Sequence, residues 1–273
     1  MNNIKIIMLV LLFCISIRAE AQTEYENSDE LYWQLSLGAF WVDMTLPKLK
    51  GADSNLGGVS ILADARIEYK NFYFRVNSGD FFGGADIGYQ VWNDDQQGVD
   101  IIYGNYQLGF SQNGYFDDDD PVPELKGIKE RHQDQSFGLS YYRSIGQYNA
   151  AVELVYDTFG DSGGWVIHAE ATRNFELRNW DVWFNFGANY YSGKFIDYFY
   201  GVDVDEQSTH LPPYEINGAV SIFAQTQANY PIAVDWVFSA GGSVLVGSAN
   251  VTKSPLIGSR FATAVFAGVK YVF

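Results

Sequence analysis

From about its thirtieth residue onward, the chain alternates apolar and polar residues in stretch after stretch. Between Tyr148 and Asp157 one face reads Tyr148, Ala150, Val152, Leu154, Tyr156 and the other Asn149, Ala151, Glu153, Val155, Asp157. Between Val59 and Lys70 the faces are Val59, Ile61, Ala63, Ala65, Ile67, Tyr69 against Ser60, Leu62, Asp64, Arg66, Glu68, Lys70. A period of two is a strand signature, because successive side chains leave the pleat on opposite sides. The pattern predicts strands near Leu31–Val42, Val59–Lys70, Phe72–Asn77, Gly83–Trp92, Val99–Gln112 and Gln135–Ser144, then Tyr148–Phe159, Gly164–Phe175, Trp180–Tyr191, Ile216–Tyr230, Val234–Gly247 and Arg260–Phe273. That makes twelve. A ten-strand count is the alternative, in which Ser78-Gly79-Asp80 is a bulge in one long strand.

Two solvents can explain two unlike faces. A soluble sandwich turns its apolar face inward, whereas an outer-membrane barrel turns it to lipid and lines its lumen with polar groups. The connections favour the barrel. Asp43–Gly58, Asn113–Asp134, Ser192–Glu215 and Ser248–Ser259 are long, while Asn71, Asn93–Gly98, Ile145–Gln147, Glu176–Asn179 and Pro231–Ala233 are short. If the first strand rises from the periplasm, every long connection falls outside and every inner one is short, as bacterial barrels require. The lumen then holds Asp64, Arg66, Glu68, Arg75, Asp86, Glu153, Asp157, His168, Glu170 and Asp181, with both signs present for salt-bridged packing. The lipid face is nearly free of charge. Arg143 and Arg173 lie near strand ends, where long side chains reach the interface.

The N-terminus fits export. Lys5 precedes an apolar core from Ile6 to Ile17, and Ala19-Glu20-Ala21 offers small residues for cleavage after Ala21. Residues 1–21 are read as a signal peptide, 22–30 as a short periplasmic segment and 31–273 as a single barrel domain. The apolar core is shorter than the roughly 20 residues a spanning helix needs. Cys14 is the only cysteine, so the processed chain forms no internal disulfide. Aromatics make up 17% of the chain while mean hydropathy is only −0.11, which suits strands half in lipid with aromatic girdles at both interfaces. The final strand is apolar at Phe261, Thr263, Val265, Ala267, Val269, Tyr271 and Phe273. Its terminal Phe273 points to recognition by the barrel assembly machinery.

Charge narrows the partners. The formal charge is −16, and removing Lys5, Arg18 and Glu20 (net +1) leaves −17. This excludes nucleic acid, whose phosphates need Lys and Arg, and leaves outer-membrane lipid as the surrounding partner. No nucleophile elbow, His-Glu-x-x-His or phosphate loop occurs. Of the three histidines, His168 beside Glu170 reads as a lumen network member, His132 as part of an exposed charged loop, and His210 as the start of a proline-set approach to the next strand. Asp117-Asp118-Asp119-Asp120 could offer oxygen ligands to calcium. Its residues are contiguous and followed by Pro121 and Pro123, so a solvated loop is the better reading. No catalytic, cofactor-binding or metal-ligating residue is assigned, and no enzyme is expected.

The most distinctive segment is Ser192-Gly-Lys-Phe-Ile-Asp-Tyr-Phe-Tyr-Gly-Val202. It resembles the Ser-x-x-Tyr-x-Asp-Tyr-Tyr-Tyr-Gly-Val stretch of the MipA/OmpV family, departing at Phe195 and Phe199. Asp119–Gly127, Ser254-Pro255-Leu256 and Gly268–Phe273 extend the similarity across the chain, although Phe72–Gly84 is longer than the family pattern. The resemblance implies a non-enzymatic outer-membrane scaffold linking a lytic transglycosylase to a murein synthase. Other members are described as porin-like proteins or adhesins, so a small-solute channel or an outer-surface binder is the alternative. The aromatic run Phe195–Val202 itself reads either as a plug folded over the barrel mouth or as a binding loop.

Overall fold

The computed structural model describes residues 30–77, 79–81, 85–115 and 122–273. The proposed signal peptide and the Asp117–Asp120 run lie outside the described residues, as does the side chain of Asp86.

Twelve antiparallel strands close into a barrel in simple sequence order, with β1 pairing β12. They are β1 (Tyr32–Thr45), β2 (Asn55–Tyr69), β3 (Phe72–Val76), β4 (Ala85–Asn93), β5 (Gln97–Gly104), β6 (Ser136–Ile145), β7 (Tyr148–Asp157), β8 (Trp165–Leu177), β9 (Trp180–Ser192), β10 (Gly218–Ala233), β11 (Trp236–Gly247) and β12 (Phe261–Val272). Closure leaves no sheet edge at the seam, the arrangement a β protein needs in a solvent that offers no hydrogen bonds. The ten-strand alternative falls: β3 and β4 are separate strands that pair with each other at Phe72–Tyr89, Tyr73–Gly88 and Phe74–Ile87.

Exposure settles which face meets lipid. On β7, Val152, Leu154 and Tyr156 are 50–55% exposed, whereas Glu153 and Asp157 are 8% and 2% exposed. The apolar side chains point out and the carboxylates in, the inverse of a soluble protein. Aromatics gather at both rims. Trp180–Tyr230, Trp236–Tyr271 and Tyr271–Phe273 contact one another at ring distances of 5.0, 5.2 and 4.9 Å at the inner end, and Trp165–Tyr190 does so at 5.3 Å at the outer end. Arg173 stacks on Phe175 and hydrogen bonds to Gln147 and Tyr148, keeping its charge at the inner interface.

Four inner connections are two-residue turns, and three of them, Lys70-Asn71, Gly146-Gln147 and Arg178-Asn179, open on a residue with positive φ. Such left-handed residues match the twist of the strands they join. Several strand ends differ from the sequence expectation: β1 runs on to Thr45 and β2 already starts at Asn55, which shortens the expected Asp43–Gly58 connection. Pro231–Ala233 remains strand, with a register shift that absorbs the proline, and the turn moves to Val234-Asp235. β5 stops at Gly104 instead of Gln112, because the chain beyond it folds across the barrel mouth.

Candidate functional site

The outer mouth is sealed by a hydrophobic core of its own. Leu49, Phe110, Leu125, Phe199, Leu211 and Leu256, from the four long outer loops, are all buried in one cluster. The cluster rests on Ile102, Val155, Val166, Tyr191 and Ala219, which point inward from the outer ends of the strands. Its centre is a short helix, α1 (Gly193–Tyr200), that Ser192 caps by accepting from the Phe195 amide. Phe195 and Phe199 are fully buried and stack in series with Tyr191, with ring distances of 5.6 and 5.2 Å. Asp197 Oδ1 accepts from the Ile216 amide, tying the helix to the strand that follows it. The Phe195–Val202 segment is therefore a plug. Each such aromatic contributes about 1.5–3 kcal/mol by burial.

A buried ion pair staples two of these loops together. Arg131 and Glu206 are 6% and 2% exposed and meet at 2.8 Å. Glu206 also accepts from the Lys129 and Asp203 amides at 2.7 and 3.0 Å. Burial opposes its charge, but the Arg131 hydrogen bond and the two amides outweigh that and hold its carboxyl below the usual range. Asp134, at the base of the same loop, behaves oppositely. It accepts from the Tyr106 and Gln107 amides and the Ser136 hydroxyl, yet its burial dominates and pushes it up to about 6. His132 stays on the surface, where its hydrogen bond to Asp161 at 2.7 Å raises its pKa. His210 is also exposed.

Below the plug the lumen is polar and cross-linked. Tyr106 reaches down from the plug to donate to Glu153 at 2.7 Å. His168, 1% exposed, lies 2.7 Å from Asn189 and 3.5 Å from Glu170, and stacks on Phe223. Glu170 accepts from Asn185, and Tyr73 donates to Asp100 at 2.8 Å. Asp157 instead organises the β7–β8 turn, accepting from Gly160, Ser162 and Gln135. Asp181 is exposed at the inner rim. The β3–β4 connection turns inward: Asp80 and the Phe81 amide hydrogen bond to Gln225 on β10, and Phe81 packs against Phe266.

Two cavities stand out among the described residues. The outer one, about 410 Å³, lies against the plug between Met44, Phe81, Tyr106, Tyr191 and Ile196. The inner one, about 320 Å³, lies in the periplasmic half of the lumen among Gln34, Asp64, Arg66, Arg75, Trp183 and Lys270. Sequence periodicity placed the first four charged lumen residues correctly. It did not anticipate that Lys270 pairs with Asp64 across the closing seam, since closure joins residues about two hundred positions apart.

A closed twelve-strand barrel with an apolar belt, aromatic girdles and short inner turns defines an outer-membrane β-barrel protein. Within that class, the family profile described as MltA-interacting protein MipA matches residues 35–273, and the chain belongs to that family. It is 24% identical over 241 residues to the MltA-interacting protein of Escherichia coli (strain K12), covering 88% of this chain and 90% of the relative. It is also 24% identical over 173 residues to the outer membrane protein Omp26La of Vibrio anguillarum, covering 63% and 66%. Among solved structures, an outer-membrane channel from Pseudomonas putida F1 aligns at a TM-score of 0.41 and 11% identity, covering 93% of this chain and all of that one.

Proposed function

We propose that this protein is a closed outer-membrane anchor that presents its periplasmic end to a murein-cleaving lytic transglycosylase, with a murein synthase as a further partner. It carries out no catalysis of its own. The observation that supports this reading best is the packed outer mouth: among the described residues an apolar core fills the outer end of the barrel, which leaves the periplasmic end as the face for a partner. The name of the Escherichia coli relative, MltA-interacting protein, points the same way. The short inner turns offer little contact area, so the partner's surface is the barrel rim together with residues 22–30, released by cleavage after Ala21.

Affinity capture on the full-length tagged protein in detergent, combined with planar-bilayer recording, tests the reading. Retention of a lytic transglycosylase with electrically silent bilayers is expected. Steady ohmic conductance without capture would overturn it in favour of the channel. Binding of host or matrix ligands by the outer loops, without capture, would replace it with the adhesin.

A further inference from the structure

The inner cavity is positive in a strongly negative protein. Arg66, Arg75 and Lys270 line it, opposed by Asp64 and by Glu68 behind them, which leaves one net positive charge in a chain of −16. Arg66 Nε and Arg75 Nη2 both donate to the same oxygen of Glu68, each at 2.8 Å. The Glu68 side chain is 7% exposed, while both arginine side chains are 49% exposed. One recessed carboxylate thus binds two guanidinium groups side by side, and both stay half-exposed in the lining of the vestibule. Aromatic rings steady them: Arg66 lies 5.4 Å from the Tyr32 ring and Arg75 lies 4.3 Å from the Tyr73 ring. Lys270 is neutralised by Asp64, to which Ser36 also donates at 2.9 Å.

The rest of the lining suits a particular ligand chemistry. Trp183 offers an aromatic face, and Gln34, Asn77 and Asn229 offer amides that both donate and accept. An aromatic platform packs against the C–H face of a sugar ring, amides match its hydroxyls, and paired guanidinium forks match a carboxylate. A purely apolar ligand would leave the amides unsatisfied. We propose that the vestibule binds a carboxylate-bearing saccharide, a fragment of murein, with Arg66 and Arg75 on the carboxylate and Trp183 against the sugar. The saccharide chemistry rests on these residues; the choice of murein rests on the scaffold reading above.

Calorimetric titration of the full-length protein in detergent micelles tests this. The probes are muropeptides, disaccharide peptides released from murein, and chitotetraose, which has N-acetylglucosamine rings and no carboxylate. Muropeptides are expected to bind at least about tenfold more tightly than chitotetraose, the scale of one or two charge-assisted hydrogen bonds. The double variant Arg66→Gln and Arg75→Gln is expected to lose that preference while still showing heat-modifiable migration. Glu68→Gln removes the neutralising charge and is expected to tighten muropeptide binding several-fold, and it decides the matter if the double variant fails to fold. Equal binding of both probes, binding of neither, or an unchanged preference in the folded double variant overturns the proposal, as does unchanged or weaker muropeptide binding in folded Glu68→Gln. If muropeptides fail while the transglycosylase is still captured, only this inference falls. If they bind and capture fails, only the scaffold reading falls.

Discussion

Glu206→Ala is the sharpest perturbation of the sealed mouth. The wild-type carboxylate satisfies Arg131 and two backbone amides in a site from which water is excluded. Its removal leaves the Arg131 guanidinium buried with one hydrogen bond among the described residues, to the Gly201 carbonyl, beside the Tyr198 ring at 5.7 Å. Breaking one side of a buried ion pair costs about 3–5 kcal/mol. At about 1.4 kcal/mol per tenfold, this raises the open population of the plug by roughly two to three and a half orders of magnitude. The barrel's own ladder does not pass through this pair, so the loss is local. Hydrogen exchange on Phe195–Val202 in detergent micelles should accelerate by that factor, while β8 to β10 stay protected. Protection within a few-fold of wild type would refute the staple, and so would uniform acceleration across the barrel. Arg131→Met in the same chain should recover part of the loss, because it removes the orphaned charge.

Four further outcomes follow from the same geometry. Gly164→Val should loosen the plug as well, because a Cβ there would sit 2.3 Å from the Phe195 nitrogen and would meet backbone that has nowhere to move; limited proteolysis of the 193–217 loop reads this. Plug stability, followed by near-UV circular dichroism, should rise as pH falls through about 6, because folded Asp134 holds a proton there that the opened loop does not. It should fall again below the ordinary carboxyl range, as Glu206, whose folded pKa is depressed, is protonated in the closed state and its contribution is lost. Leu154→Arg places a charge in lipid and should destabilise the barrel by about 2–4 kcal/mol in a refolding assay, whereas Glu153→Gln, on the lumen side one residue away, should cost less.

The barrel was legible because its signal is local. Each strand announces itself over a few residues, and the contrast between charged and aliphatic faces is repeated on strand after strand. Strand ends were less legible where a proline or a bulge intervened, as at Pro231. The plug was only half legible. Its aromatic run stood out in sequence, yet α1 covers a single face and eight residues, too short for helical periodicity to emerge from an aromatic loop. One signal was available and carried meaning: Val155 interrupts the polar face between Glu153 and Asp157, and Val166 lies two residues before His168 on the same face. An inward valine near the outer end of a strand says that something apolar packs above it. The Arg131–Glu206 pair had no such signal, since only the folding of two distant loops brings it together.

The division of the lumen carries the functional argument further than either end alone. A barrel of this strand number could be filled by side chains throughout, and stability would ask for no more. Here the outer third is filled by apolar packing, the middle is cross-linked by Tyr106, Glu153, His168 and Glu170, and the periplasmic part keeps two half-exposed arginines side by side at a cavity. Half-exposed arginines that share a carboxylate add little to folding, because an exposed pair contributes about 0–1 kcal/mol. A neutral or fully paired lining would have stabilised the barrel as well. The half-exposed arginines beside the periplasmic cavity are therefore better explained by what approaches from the periplasm than by what the fold requires.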